Sequence, residues 1–123
     1  MICLDTNYLI RGLVRGSAEA REIVHWSEAG EPLITSMPAW FEFLCGPVTR
    51  DQIATMKAFL VEIVPLSEAH AEEAARLYNA GTRKRALRVD AMIAATAIIA
   101  DAPLATGNRD HFQPFVAHGL RLA

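Results

Sequence analysis

Hydrophobic and polar positions follow two rhythms along this chain. Five short apolar runs read as strands: Ile2–Leu4, Leu33–Thr35, Ile63–Leu66, Leu104–Thr106 and Leu120–Leu122. The stretches between them carry helical spacing. Ser17 is placed to cap one helix and Gly30 to stop it. Ser67 precedes an Ala- and Glu-rich helix that ends near Gly81. Thr82 to Leu87 is the least regular segment. Strands that alternate with helices need crossover connections, which predicts a mostly parallel sheet joined by right-handed crossovers. With no repeat, linker or low-complexity segment, residues 1–123 form a single domain.

Two helical windows are apolar in nearly every direction. One is Trp40-Phe41-Glu42-Phe43-Leu44-Cys45, where Glu42 is the only ionisable acid. The other runs from Asp90 to Ala100, where Thr96 is the only other polar side chain. A helix that is apolar all round is buried, so an acid on it needs a reason. The plain reading makes Glu42 a narrow solvent-facing strip and Asp90 a complement to the helix dipole, worth roughly 0.3–1 kcal/mol. The functional reading puts both in a cleft. Buried unpaired carboxylates are costly, and a divalent cation is one partner that keeps several ionised together.

The remaining acids fall where a site would form. In an open parallel sheet, sites lie beyond the carboxyl ends of the strands. Asp5 ends the first strand, Glu42 lies in the helix after the second, and Asn108 and Asp110 follow the fourth. Taken alone, Asp5-Thr6-Asn7 reads as a helix cap, and Thr106-Gly107-Asn108-Arg109-Asp110-His111 reads as turn chemistry. His111, next to Phe112, reads as structural rather than as a general acid. The case for a site rests on all these segments reaching one edge of one sheet. Arg83, Lys84, Arg85 and Arg88 precede Asp90. A run of charge is usually a solvated surface, but here it flanks the acids where phosphate contacts would hold a nucleic-acid backbone.

Composition narrows the picture. At 52% hydrophobic and 21% charged residues the chain is not disordered. A net charge of -2 gives no global signal for nucleic acid, although clustered carboxylates account for part of it. No apolar stretch reaches the roughly eighteen residues of a membrane span, and the basic start of a secretory signal is absent. Both point to the cytoplasm. Cys3 and Cys45 sit in apolar surroundings and read as reduced core thiols. No Cys/His cluster has zinc spacing, and oxygen donors favour Mg²⁺ or Mn²⁺.

The order of these motifs resembles a known family: an apolar strand with Asp5-Thr6-Asn7, a helical Glu42, Asp90-Ala-Met-Ile-Ala-Ala, then Thr106-Gly-Asn108-Arg-Asp110-His-Phe112. The chain looks like a PIN domain of the toxin type called VapC-like. The likeness runs from the first strand to about Phe112. It implies a three-layer α/β/α sandwich around a mostly parallel central sheet. It also implies a Mg²⁺- or Mn²⁺-dependent endoribonuclease, with Asp5 and Asp90 binding the metal and Glu42 and Asp110 completing the catalytic set. Thr6, Asn7 and Thr106 would orient the carboxylates. The family often carries Asp where this chain has Asn108. Asp110 is the acid available to supply that charge, and Asn108 offers a neutral oxygen or a hydrogen bond. The implied partners are an RNA substrate, a small cognate antitoxin whose C-terminal segment fills the groove, and a second copy of the chain. Trp40 and Phe41 are available for such a dimer interface.

Other classes fit less well. An aspartyl phosphatase of the haloacid dehalogenase type needs an acid two residues after the first, where this chain has Asn7. A receiver domain needs a phosphate-accepting Asp at the end of its third strand, which here reads Val64-Pro65-Leu66. A catalytically degenerate PIN-like binding module and a DNA-directed nuclease of the same fold are the remaining alternatives. Four intact acids argue against the first, and the chain has little room for the extra segments with which the second usually grips a duplex.

Overall fold

The computed structural model describes residues 1–123. Four strands, β1 (Ile2–Leu4), β2 (Leu33–Ser36), β3 (Glu62–Val64) and β4 (Leu104–Ala105), pair in the order β3-β2-β1-β4. All pairings are parallel, with Ile2 opposite Leu33, Cys3 opposite Leu104 and Ile34 opposite Glu62. β1 and β2 are buried along their whole length, as strands covered on both faces must be.

Seven helices surround the sheet: α1 (Thr6–Arg11), α2 (Ala18–Glu28), α3 (Met37–Cys45), α4 (Arg50–Phe59), α5 (Glu68–Gly81), α6 (Arg88–Ile99) and α7 (Arg109–Val116). A short 3₁₀ turn, Arg85–Leu87, leads into α6. α6 lies against β1 and β2, with α5 and α7 packed beside it. On another side α1 packs on α2 and α3. Helices on both faces of a parallel sheet give the expected α/β/α sandwich. No helix is long and apolar enough to cross a membrane.

The caps follow the sequence. Ser17 accepts from the Ala20 amide at the start of α2, and Gly30 ends that helix with φ of 77°. Ser67 caps α5 together with His70, whose Nδ1 accepts from the Ser67 amide. Met56, Leu77, Ile93, Phe43 and Phe112 fill the core without exposure. Thr96 is buried as well, its hydroxyl donating back to the Met92 carbonyl.

Four expectations change. β3 ends at Val64 rather than Leu66, because Pro65 has no N–H to continue the ladder. The run Leu120–Leu122 contributes only a single parallel bridge, Leu122 to Leu104, since β4 is two residues long and offers little to pair with. Cys3 is a buried free thiol, but Cys45 is an exposed one at the end of α3. α3 is not buried all round. Ala39, Trp40 and Phe43 face the core, while Met37, Phe41 and Leu44 face solvent. Trp40 is therefore a core residue packed on Phe43, with ring centroids 5.0 Å apart, and only Phe41 of that pair is free for an interface. α6 does meet the expectation: Ala91 and every residue from Ile93 to Ala97 are buried.

Candidate active site

The chain runs from β1 outward to β2 and β3, then returns to place β4 on the other side of β1. The strand order thus reverses between β1 and β4, where parallel sheets leave a crevice at their carboxyl ends. Asp5 follows β1 there, and Thr106 to Asn108 follow β4. A cleft of about 380 Å³ opens at this point, lined by Asp5, Thr6, Asn7, Glu42, Asp90, Asn108 and His111, with Ile10, Ala86 and Val89 as its apolar wall.

Asp5 sits deepest and is only 4% exposed. It caps α1: its Oδ1 accepts from the Thr6 amide at 2.7 Å, and its Oδ2 accepts from the Thr106 hydroxyl at 2.7 Å. Thr106 itself lies behind the cleft, and its hydroxyl oxygen accepts from the Asn108 amide. Glu42 stands at the rim. Its Oε1 accepts from the Thr6 hydroxyl at 2.8 Å. Glu42 is exposed on its helix and also lines the cleft. Asn7 is fixed by the Gly107 amide, which donates to its Oδ1 at 3.0 Å. Asp90 comes from the first turn of α6, two residues after the helix starts.

These carboxylates cost one another. Burial raises the pKa of Asp5, and Glu42 adds to the rise, while the donors Thr106 and Thr6 pull it down. Burial also raises Asp90, followed by the charge of Asp5, with His111 acting in the opposite direction. No Lys or Arg side chain pairs with any of the three acids. The only basic partner is His111, whose Nδ1 lies 3.5 Å from Asp90 Oδ2. Three acids with little basic compensation suit a cation, and their oxygens suit a hard divalent one. No three acidic, His or Cys side chains converge on a single point. An ion would thus be held by a pair such as Asp5 and Asp90, with water completing its shell, as Mg²⁺ commonly is.

The structure separates the residues of the last motif. α7 begins at Arg109, and its period sends Phe112 and Phe115 into the core. Asp110 consequently points to solvent and is not on the cleft wall, whereas Asn108 and His111 are. His111, read from the sequence as structural, stands on the cleft wall. Reading the motif as an irregular turn hid the signal; on a helix that starts at Arg109, a buried Phe112 fixes where its neighbours aim. Arg83, Lys84, Arg85 and Arg88 are all exposed beside the cleft, on the segment that also supplies Ala86 and Val89. Two of them are engaged: Arg83 donates to Asn79 Oδ1, and the Arg88 guanidinium lies over the Tyr78 ring at 5.7 Å. Lys84 and Arg85 have no such partner.

A family model for the PIN domain matches residues 2–114. The chain belongs to the PIN domain family. A chain of a toxin–antitoxin complex from Klebsiella pneumoniae is 30% identical to this PIN domain, with a TM-score of 0.70 over 91% of this chain and 90% of that one. A chain of the DNA-bound VapBC from Salmonella typhimurium gives a TM-score of 0.76 at 18% identity, covering 99% of this chain and 96% of that one. A chain of FitAcB from Neisseria gonorrhoeae gives 0.71 at 22% identity, covering 100% and 97%. The last two bear on the fold alone. Among curated protein sequences no match was found.

Proposed function

We propose that this PIN domain is a divalent-metal-dependent endoribonuclease, the toxin of a toxin–antitoxin pair, acting in the cytoplasm. One observation carries the reading: Asp5, Glu42 and Asp90 share a single cleft at the switch point of the sheet with no Lys or Arg to balance them. Asp5 and Asp90 would hold the cation, Mg²⁺ or Mn²⁺. When bound, it would lower the pKa of a water and offset charge gathering on the phosphate oxygens.

The side chains of the cleft supply the rest. Thr106 and the Thr6 amide hold the two oxygens of Asp5, so that its carboxylate keeps one orientation. Thr6 fixes Glu42 through Oε1, leaving Oε2 to accept from and position the attacking water. Asn108 adds a neutral polar group on the wall, in the role that the sequence had offered to Asp110 as well. Lys84 and Arg85 are the cations free to meet an RNA backbone at the rim. The Klebsiella relative is a toxin–antitoxin complex, which supports a small antitoxin as the natural partner of this chain. The family resemblance supports a homodimer.

The test is cleavage of labelled total RNA by the antitoxin-free protein, with Mg²⁺ or Mn²⁺ and with a chelator. Discrete cuts are expected with metal alone. Asp90→Asn should lower the rate at least a hundredfold while circular dichroism stays unchanged. Cutting at the parent rate by a folded Asp90→Asn protein rejects the mechanism. A binding module predicts no cutting under any condition.

A further inference from the structure

We propose that Tyr78 is a positioning residue for the RNA substrate: it clasps both ends of the basic segment 83–88 and thereby fixes where Lys84 and Arg85 stand at the rim of the cleft. The inference rests on the ribonuclease reading above and adds to it the residue that sets the backbone contact in place.

The first argument is how the chain leaves α5. Arg83 adopts a left-handed conformation, with φ of 54°, at a turn where helices usually place Gly or Asn. A larger residue keeps such a backbone only where its surroundings hold it there, and positions held in this way gather at functional sites. Tyr78 is what holds this one. Its carbonyl oxygen accepts from the Thr82 amide at 3.3 Å and from the Arg83 amide at 2.8 Å. Its hydroxyl donates to the Arg83 carbonyl at 2.7 Å. Asn79, the next residue, accepts from the Arg83 guanidinium at 2.9 Å.

The second argument is the other end of the segment. The Arg88 guanidinium lies over the Tyr78 ring, 5.7 Å from its centroid, and no carboxylate pairs with it. The ring is therefore what holds it. Arg88 opens α6, so one aromatic side chain touches the segment where it begins and where it ends. Between these points Leu87 is buried, and its amide donates to the Lys84 carbonyl at 2.8 Å to close the 3₁₀ turn. The segment is short and tied down along its length, while Lys84 and Arg85 stay exposed.

Tyr78 itself stands on a fixed support. Leu77 beside it is fully buried, and Ala74 one turn back is nearly so. A Cβ on Gly81 would stand 3.0 Å from the Pro114 carbonyl oxygen of α7, so the last turn of α5 lies hard against that helix. The segment that Tyr78 holds also gives the cleft Ala86, and Val89 follows directly from it. The clasp thus fixes the two free cations relative to the carboxylates, and phosphate contacts set the register in which a nucleic-acid backbone lies. Released from Tyr78, the cations would remain but their place would not.

Fluorescence anisotropy of a labelled single-stranded RNA of mixed sequence tests this, on the full chain freed of antitoxin, across a range of KCl, with Mg²⁺ and with a chelator. Every protein compared carries Asp90→Asn, so that bound RNA is not cut. Tyr78→Leu should weaken binding about tenfold and flatten the slope of log K against log salt by roughly 0.7–1.4, the share of one or two phosphate contacts on a single strand. Tyr78→Phe keeps the ring under Arg88 and loses only the hydroxyl, so its loss should be smaller. Replacing Lys84 and Arg85 together by Ala should cost as much as Tyr78→Leu, and adding Tyr78→Leu to that pair should cost little more. Circular dichroism checks the fold of each variant, and Tyr78→Phe carries the comparison if Tyr78→Leu does not fold. Unchanged RNA affinity and salt slope in the folded Tyr78 variants, or losses that add to those of Lys84 and Arg85, overturn the clasp while the RNA reading stands. A reference protein that binds no RNA at any salt removes the RNA reading and this inference with it.

Discussion

At the scale of single residues, the cleft places function and stability in opposition at Asp5. Its carboxyl is nearly buried, and its pKa is raised by that burial first and by Glu42 in addition. A raised folded-state pKa means that the native protein holds the proton more tightly than the unfolded chain does. Below the ordinary Asp range both states are protonated and nothing is lost. As pH rises through that range the unfolded chain ionises first, and stability falls until the native carboxyl has ionised too. Asp5→Asn removes this term while keeping a residue that caps helices well. In chelated buffer the variant should melt several degrees above the parent at pH 7, and the gap should close toward pH 3. Thermal melts across that range check it, and a variant that melts lower at pH 7 contradicts the burial argument. A divalent cation should reverse the order, since ligand at a hundred times its Kd stabilises the parent by about 2.7 kcal/mol and the variant has lost a ligand.

At the scale of elements, Gly12 at the end of α1 is the glycine with least room for a side chain. Gly12 has ordinary right-handed backbone, with φ of -61°. On backbone grounds alone, Gly12→Ala should stabilise by about 0.4–1 kcal/mol. The neighbours reverse that sign. A Cβ there would stand 2.5 Å from Ile23 Cδ1 of α2, 2.6 Å from the Tyr8 carbonyl oxygen and 3.1 Å from Met56 Cε of α4. The Ile and Met tips can turn aside, but the Tyr8 carbonyl is backbone and already accepts from the Gly12 amide at 2.8 Å. Overpacking of this kind costs roughly 1–3 kcal/mol. A urea titration should place the Gly12→Ala midpoint below the parent, and an unchanged or higher midpoint means that α1 and α2 can part at no cost. Because α1 also carries Thr6 and Asn7, the same shift should weaken the bonds that fix Glu42 and Gly107.

At the scale of the whole molecule, what the sequence discloses follows how locally each feature is encoded. β1, the Ser17 and Ser67 caps and the buried α6 were all legible, because spacing and capping chemistry are properties of a few adjacent residues. So was the meeting of Asp5 and Glu42, because parallel topology sends strand ends to one edge, whereas Asp90 joins them only because α6 begins beside the cleft. Where Asp110 and His111 stand was not legible, because their directions depend on where α7 begins, and the packing of Phe112 settles that. Trp40 and Phe41 were grouped as one surface for a similar reason. They lie a helical step apart, one turned into the core and the other out, and composition cannot tell which. The outward face that results is Met37, Phe41 and Leu44 on α3, spaced four and three residues apart. Isolated exposed apolar residues need no explanation, but a contiguous set does. The homodimer proposed above would use this face, with Phe41, 65% exposed, as its anchor. Phe41→Asp introduces a charge at that point without touching the core. Light scattering at tens of micromolar should give a dimer for the parent and a monomer for the variant, with the same melting temperature for the isolated fold. A variant that stays dimeric moves the contact elsewhere. A parent that is monomeric while Phe41→Asp loses antitoxin binding assigns the face to the antitoxin instead.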